Sequence, residues 1–497
     1  MIRVVFSLSS LSLLGFGVGF LNQVIIANRF GVSQELDIYL VALSIVNMGW
    51  FFAGPISEST TPRFFEKKEQ SLEKASRYFS SIVFNIFLFS ILSSALIYIF
   101  LGDIYYSLDY GSSISYEYFK SICVSLLPII FLSALNHYFQ SVLNALGFFI
   151  GQSIGKIITA LISMLFLIAY SSSLGVKAIV YGLEISLIIF LIFQYCIIVR
   201  SGIKFILSGR FILSVNLYLC ILSLSATYLI TASLPLLEKY TFSNFGEGFI
   251  SSYNYAFLLM QVPLQVVSSG VIAVAWTNFM TLVKNDNREL ALIELFKITF
   301  NVFIMMLFVA VFLHNYSLES IYIVFFSGEF GEESLYLTAD MLSYLVLSLP
   351  FFIANTLLSR AIITILGVFK VVIANVITIA ISVLVLYVSG QSNSYVLASL
   401  APLISQFILL FYYVYFYFIL FEKSRDFINL MFKCIPILLT VTIVLLTTEN
   451  YLGFNITILK FDKIELIFEL MKVGVLWFML GIIIVFSSHK SLGRGRA

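Results

Sequence analysis

The sequence predicts an all-α membrane protein of about 14 transmembrane helices, arranged as two six-helix pseudo-repeats around a central cavity plus two extra C-terminal helices. Of the 497 residues, 60% are hydrophobic and 11% are charged, whereas soluble domains average roughly 25% charged residues. Apolar runs of about 20 residues, long enough for a helix to cross a ~30 Å hydrocarbon core, recur along the chain. An internal repeat relates the two halves.

Polar and charged residues divide the chain into 14 apolar segments. Helices are predicted because a barrel strand would span the membrane in about ten residues with alternating polarity. The N-terminus has the Arg3 and apolar run of a signal peptide but no convincing cleavage site, so it is interpreted as a retained first span. The predicted spans are 4–27, 37–62, 78–101, 118–145, 148–169, 176–199, 215–237, 249–278, 292–313, 338–364, 368–388, 396–421, 428–448 and 464–486.

Lysine and arginine are distributed unevenly between alternate connections. With the N-terminus inside, the inner connections hold 17 of them and the outer connections five: Arg29, Lys177, Lys239, Lys460 and Lys463. Because positive charge is enriched in cytoplasmic loops, we expect both termini in the cytoplasm of a multi-pass protein of the bacterial inner membrane.

The internal repeat is visible in matched punctuation. Leu-Pro pairs at Pro128 and Pro350 begin two segments that end in Leu-Gly at Gly147 and Gly367. In the segments that follow, Thr159, Ile162, Ser163 and Leu165 match Thr378, Ile381, Ser382 and Leu384. Six spans repeated after six spans keep their orientation, so the halves would be related by an axis along the membrane normal. The predicted parts are a first lobe at 1–200, a second lobe at 201–425, and two added helices with a basic tail at 426–497.

Motifs for catalysis, metal binding and nucleotide binding are not found in the sequence. The four cysteines lie in apolar runs without metal-ligand spacing, which indicates small buried side chains. There is no P-loop and no catalytic triad, so we expect neither an enzyme nor a cofactor. Transport would be driven by an ion gradient, the membrane potential or the substrate's own gradient rather than by ATP. The net charge of +2 gives no indication of a nucleic-acid partner.

Charged side chains inside spans are costly and usually face a cavity or a partner. Glu58, Lys156 and Arg360 fall in the predicted cytoplasmic third, whereas Glu184 lies toward the outer half. Lysines near helix ends are explained by snorkelling. The stretch "WFFAGPISESTTPRFFEKK" allows two readings. Gly54-Pro55 kinks the helix and hydroxyls satisfy the freed carbonyls, or Glu58 and its hydroxyls line a head-group cavity.

The stretch "GFLNQVIIANRFGVSQELDIYLVAL" resembles the opening of the lipid II flippases of the MurJ family. Its landmarks are Gly19-Phe20, Phe30-Gly31 and Asp37. "FFAGPISESTTP" is similar to the second helix of that family. "YIVFFSGEFGEES" and the helix after it are similar to the passage between its ninth and tenth helices. The resemblance covers most of the chain and implies 14 helices.

The sequence departs from the family at the arginines that the resemblance would place in a diphosphate clamp. The matching positions hold Phe16, Asn22, Met48 or Gly49, and Leu258, none of them basic. The wider multidrug/oligosaccharidyl-lipid/polysaccharide exporter superfamily also includes Wzx-type flippases. The resemblance therefore implies a flippase for a polyprenyl-diphosphate-linked oligosaccharide of O-antigen or capsule type. The alternatives are a lipid II flippase, an ion-coupled multidrug exporter and, from another class, a polytopic glycosyltransferase or polymerase.

The expected partners are a lipid-linked glycan and the bilayer, and a role for other polysaccharide-assembly proteins is left open. Coupling to H⁺ or Na⁺ is expected at three acidic residues, which would serve in ion coupling or gating: Asp37, Glu58 and Glu184. Packing against neighbouring helices is the competing explanation for the polar residues. The expected substrate-binding residues are Asn22, Gln23, His137, Lys156, Asn254, Tyr255 and Arg360.

Overall fold

A computed structural model describes residues 2–107, 115–148, 151–206, 215–421, 432–441 and 463–493. These residues form helices and connections, with no strand among them. Thirteen helices or end-to-end helix pairs in the described ranges are long and apolar enough to cross a membrane. The predicted all-α polytopic class is confirmed. The thirteenth predicted span, 428–448, lies mostly outside the described residues.

The chain forms two compact units, Met1–Ser251 and Ser252–Ala497. The predicted boundaries at residues 200 and 425 stay a prediction. The helices that lie in the first unit are α1 (Ile2–Phe30), α2 (Gln34–Gly49), α3 (Ala53–Gln70), α4 (Leu72–Ser107), α5 (Tyr116–Leu126), α6 (Pro128–Ala145), α7 (Gly151–Leu174), α8 (Lys177–Arg200) and α9 (Val215–Ser243).

The next helix, α10 (Phe249–Val267), begins at the end of the first unit and continues into the second. The second unit continues with α11 (Ala273–Lys284), α12 (Arg288–Asn315), α13 (Ser317–Phe325), α14 (Glu332–Leu345), α15 (Leu349–Leu366), α16 (Val368–Gln391), α17 (Tyr395–Ser399), α18 (Ala401–Leu420), α19 (Phe432–Val441) and α20 (Lys463–Gly493).

Several predicted spans consist of two helices joined end to end. Pro128 begins α6 directly after α5, and Pro350 is the second residue of α15 after a short 3₁₀ turn, Val346–Ser348. Proline fits the first turn of a helix because the N–H that it lacks has no partner there. The span at 249–278 is interrupted by a π-helical turn at Ser268–Ile272. These breaks let side chains before and after them face different directions.

The predicted repeat is supported by hydrogen bonds that recur 219 positions apart. The Thr159 hydroxyl donates to the carbonyl oxygen of Gly155 (2.8 Å), and the Thr378 hydroxyl donates to that of Ala374 (2.9 Å). Asn136 Nδ2 donates to the Leu187 carbonyl oxygen (3.3 Å). In the second unit, Asn355 Nδ2 donates to the Gln406 carbonyl oxygen (2.8 Å). Each unit thus ties the same pair of its helices, α6 to α8 and α15 to α18, by the same kind of bond.

A buried carboxyl in α13 gives a first testable prediction. Glu319 is buried, and this burial raises the pKa of its carboxyl. A raised pKa means that the folded state disfavours the ionised form, so its contribution to stability is lost as the pH rises through the folded-state pKa. We expect Glu319→Gln to raise the melting temperature of the purified protein at neutral pH and to have little effect in acid. An equal effect of Glu319→Gln at both pH values would contradict this assignment.

Candidate functional site

A break between α2 and α3 shapes the polar stretch that begins at Trp50. α2 ends at Gly49, the chain turns through residues 50–52, and α3 begins at Ala53. Pro55 therefore lies in the first turn of α3, where a missing N–H costs nothing. The helix is interrupted just before Gly54-Pro55 rather than at the proline.

The hydroxyls of α3 divide between two tasks. Thr60 and Thr61 donate to the carbonyl oxygens of Ile56 (2.7 Å) and Ser57 (2.6 Å) on their own helix. Pro62 has no N–H group, so it cannot donate the usual helical hydrogen bond to the carbonyl oxygen of Glu58, four residues earlier. The serines point elsewhere, because Ser57 Oγ lies 3.0 Å from His137 Nδ1 on α6. The threonine hydroxyls thus bond within α3, whereas Ser57 contacts α6.

Five side chains of the first unit form a group that we call the polar cluster: Asn47, Trp50, Glu58, His137 and Tyr228. The Tyr228 hydroxyl on α9 donates to Glu58 Oε1. The rings of Trp50 and His137 are 6.4 Å apart, and Trp50 Nε1 donates to Asn47 Oδ1 (3.2 Å). Glu58 and His137 also interact electrostatically. Asn47, Glu58, His137 and Tyr228 are exposed and Trp50 is partly exposed, so the cluster is an open polar surface.

Gly54 makes room for Tyr228. A Cβ atom at position 54 would collide with the Tyr228 ring, and Gly54 lies one helical turn before Glu58 on the same face of α3. The ring therefore rests on the helix backbone while its hydroxyl reaches the carboxylate. On the same pair of helices, Ser59 Oγ lies 3.6 Å from Cys220 Sγ.

Asp37, an expected ion-coupling residue, is buried and holds the start of α10. Its Oδ2 accepts from the Gly248 amide and its Oδ1 from the Ser251 amide, both at 2.7 Å. The first N–H groups of a helix have no partner within the helix and carry its positive dipole end. Both oxygens are thus engaged in anchoring α10 to α2.

Lys156 and Asn22 lie where α1 packs against α7. The Cβ of Lys156 faces Gly15 of α1, and the side chain itself is exposed. Asn22 Nδ2 donates to Ser163 Oγ (3.4 Å), which is the helix-packing role considered for it, and Gln23 beside it is half-buried. Glu184 on α8 is half-buried, with its Oε1 enclosed and without a hydrogen-bond partner among the described residues.

The three expected substrate-binding residues of the second unit have different surroundings. The Arg360 guanidinium on α15 lies over the ring of Trp276 (6.0 Å) and has no salt bridge within the described residues. Asn254 is half-buried. Tyr255 is buried against the rings of Phe325 (5.1 Å) and Phe330 (5.7 Å), so it belongs to the core.

An apolar groove runs along α20 in the second unit. One part has a volume of about 520 Å³ and lies between α20, Phe312 and Ile323. A neighbouring part of about 300 Å³ reaches Leu259 and Pro263 of α10. Phe312, Gly474 and Phe478 line both parts, so the two are continuous. Within the described ranges no three His, Cys, Asp or Glu side chains group as metal ligands do.

Four side chains that the sequence did not single out take part in these contacts. Asn47, Trp50 and Tyr228 belong to the polar cluster. Lys239 was assigned to an outer connection, but α9 continues to Ser243, and Lys239 Nζ donates to the Leu40 carbonyl oxygen (3.0 Å) and to Ser44 Oγ. The only sequence signal for Lys239 was a charge close to the end of a predicted span, and such a charge favours a loop.

One family model and several solved structures match the chain. The family model of the lipid II flippase MurJ matches residues 26–484. A solved lipid II flippase MurJ in an inward closed conformation has a TM-score of 0.77 and 18% identity, covering 97% of this chain and 99% of that chain. An inward-facing MATE family transporter of the MOP superfamily has a TM-score of 0.57 and 14% identity, covering 83% and 95%. The Vibrio cholerae MATE transporter VcmN, solved as a mutant, has a TM-score of 0.57 and 12% identity, with the same coverage.

At these identities the structural likeness is one of fold. No curated protein matches the sequence. The match to the family model covers most of the chain and confirms the resemblance predicted from the sequence.

Proposed function

The chain belongs to the MurJ family of lipid II flippases, and from this membership we propose that its substrate is lipid II, which it moves across the inner membrane. A lipid-linked flippase is a transporter and not an enzyme, in accord with the sequence analysis. The observation that carries the choice of substrate is the match of the MurJ family model to residues 26–484. Alternating access by the two predicted lobes is part of this proposal.

The apolar groove along α20 suits the lipid tail. Its walls are aliphatic and aromatic side chains, and Gly474 leaves space beside Phe312. A prenyl chain buried there would gain roughly 25 cal/mol for each Å² of apolar surface removed from water, and less when it leaves lipid. We therefore assign the groove a guiding role, which keeps the tail beside the protein while the head group crosses.

Arg360 is our candidate for the diphosphate, with Lys156 as the second. The guanidinium stacks on Trp276 and leaves its N–H donors without a carboxylate partner, and a planar guanidinium can hold a phosphate through two parallel bonds. We expect Arg360→Ala to reduce transport at least tenfold, because a charge-assisted contact in a low-dielectric site is lost. Lys156→Ala should reduce it less, since that side chain is exposed.

The measurement is flipping of a labelled lipid-linked glycan in proteoliposomes, with Lys370→Ala as the control for loss of a cation elsewhere. Arg360→Lys should restore only part of the activity, because an ammonium cannot form the bidentate contact. Normal transport by both Arg360→Ala and Lys156→Ala would show that the diphosphate lies elsewhere.

A second substrate is favoured by one observation. The positions that align with the family's clamp arginines hold Phe16, Asn22, Met48 or Gly49, and Leu258. These departures from the family sequence favour, as the second candidate, another lipid-linked glycan, such as an O-antigen or capsule repeat unit. Both substrates share a polyprenyl diphosphate and differ in the sugar.

The test replaces the resident lipid II flippase of a bacterium with this protein under depletion. Growth and normal labelling of lipid II at the outer face would support the lipid II proposal. The oligosaccharide would be the substrate if two results were found together. The first is lysis of the depleted strain with lipid II trapped inside, and the second is rescue of a strain that lacks its O-antigen flippase. Failure in both strains, with the protein present in the membrane, would overturn the proposal.

For ion coupling we propose Glu184 ahead of Asp37. Glu184 Oε1 is enclosed and has no hydrogen-bond partner among the described residues, whereas both oxygens of Asp37 hold backbone amides. A group that takes up and releases an ion needs a free oxygen in at least one state. Flipping in proteoliposomes with imposed H⁺ or Na⁺ gradients would identify the ion, and Glu184→Gln would lose that dependence.

A further inference from the structure

We propose that the polar cluster of the first unit is a sugar-binding subsite, in which Trp50 supplies an aromatic platform and Glu58 an acceptor for sugar hydroxyls. This inference rests on the proposed function, because it assigns the glycan of the lipid-linked substrate to particular side chains. Of the five residues, only Glu58 and His137 were expected from the sequence, and Glu58 was expected to serve ions or gating.

The carboxylate is held in place and is only partly used. Tyr228 donates to Oε1, while Oε2 makes no hydrogen bond within the described residues. Because Gly54 lets the Tyr228 ring rest on the backbone of α3, the hydroxyl is held by packing as well as by its hydrogen bond. A fixed carboxylate oxygen at an exposed surface is a strong acceptor for a neutral O–H or N–H donor.

The aromatic platform is also fixed. The indole N–H of Trp50 is directed to Asn47, and the ring lies 6.4 Å from His137, whose Nδ1 faces Ser57. Indole rings are large apolar surfaces that lose little entropy on binding. A pyranose presents C–H groups on its face and hydroxyls at its edge, so a ring on Trp50 would direct edge hydroxyls to neighbouring polar groups. The second nitrogen of His137 is available for such a contact.

The charges of the cluster select a sugar over a phosphate. Neither lysine nor arginine belongs to it, and Glu58 carries a negative charge that would repel a diphosphate. A neutral or N-acetylated sugar can donate hydrogen bonds to the carboxylate and carries no charge that the carboxylate would repel. The subsite would therefore recognise the glycan independently of the diphosphate.

The experiment compares two lipids on full-length protein in nanodiscs. One is a polyprenyl diphosphate that carries an N-acetylglucosamine-containing disaccharide, and the other is the same polyprenyl diphosphate without sugar. Affinities are measured by native mass spectrometry for the wild type, Trp50→Leu and Tyr228→Phe. The matched control for Tyr228→Phe is Tyr106→Phe, an exposed tyrosine outside the cluster.

We expect Trp50→Leu to weaken binding of the glycolipid about tenfold, because the aromatic surface beneath the sugar ring is lost. Tyr228→Phe should weaken it about threefold through loss of one hydrogen bond. Affinity for the lipid without sugar should change less than twofold. A general loss of folding would instead weaken the binding of both lipids.

Equal losses of affinity for both lipids, or no loss of affinity for the glycolipid, would overturn the subsite. The proposed flippase function would still stand in that case, provided that the wild type binds and flips the glycolipid. A wild type that binds neither lipid would overturn the subsite and the proposed function together.

Discussion

Replacing Asp37 with alanine is expected to abolish flipping and to lower the yield of folded protein severely. The substitution removes the acceptor for the Gly248 and Ser251 amides, both bound at 2.7 Å in a buried site. Hydrogen bonds to a charged group contribute roughly 1.5–3 kcal/mol each. In the variant, two donors at the start of α10 are left without water or partner. The measurements are transport in proteoliposomes and thermal unfolding in detergent.

Glu35→Ala is the matched control, since Glu35 lies in the same first turn of α2, has the same charge and is exposed. It should leave both quantities near the wild-type values. Asp37→Asn should fall between the two, because the amide keeps one acceptor oxygen but places an NH₂ group against a second backbone N–H. If Asp37→Ala folds normally and loses only its dependence on an ion gradient, the anchoring role is wrong and the ion-coupling role predicted from the sequence is right.

The spans of this protein could be predicted from sequence because each is fixed by a strong local requirement. A membrane-spanning helix needs about 20 apolar residues whatever its neighbours are, and prolines at 128 and 350 mark helix starts by their missing N–H. The break at residues 50–52 was harder to place. From the sequence, Pro55 suggested a kink at its own position. In the structure Pro55 lies in the first turn of α3, so it follows the break instead of causing a kink within a helix.

The candidate site could be predicted less well, because composition does not give the rotation of a helix about its axis. Asn254 and Tyr255 were both expected to bind substrate. Successive residues are about 100° apart on a helix, and only Asn254 is even half-exposed. Charge singled out Glu58 and Arg360 in the sequence, and their roles stay predictions. Charge could not find Tyr228, since a tyrosine in a chain with 28 of them is first explained by the membrane interface.

The second large effect is expected for Gly155→Leu, which should disrupt the contact between α7 and α8. A Cβ atom at position 155 would already collide with the ring of Phe190, a buried side chain of α8. Overpacking a core by a methylene or more typically costs about 1–3 kcal/mol, and a leucine adds four carbons. We expect a marked fall in melting temperature and loss of flipping, because α7 also carries Lys156 beside Gly15 of α1.

The double variant Gly155→Leu with Phe190→Ala decides whether this contact is the cause. Removing the ring should restore much of the stability and part of the flipping, because the effects of two residues in direct contact are not additive. Gly17→Ala in α1 is the control, since a Cβ there meets no atom within 4 Å, and it should leave the melting temperature unchanged or slightly raised through helix propensity. Additive losses in the double variant would mean that Gly155 is required for a reason other than the close approach of α7 and α8. A restored melting temperature without restored flipping would place the requirement at Lys156, because the helix pair would then be stable while the cation remains displaced.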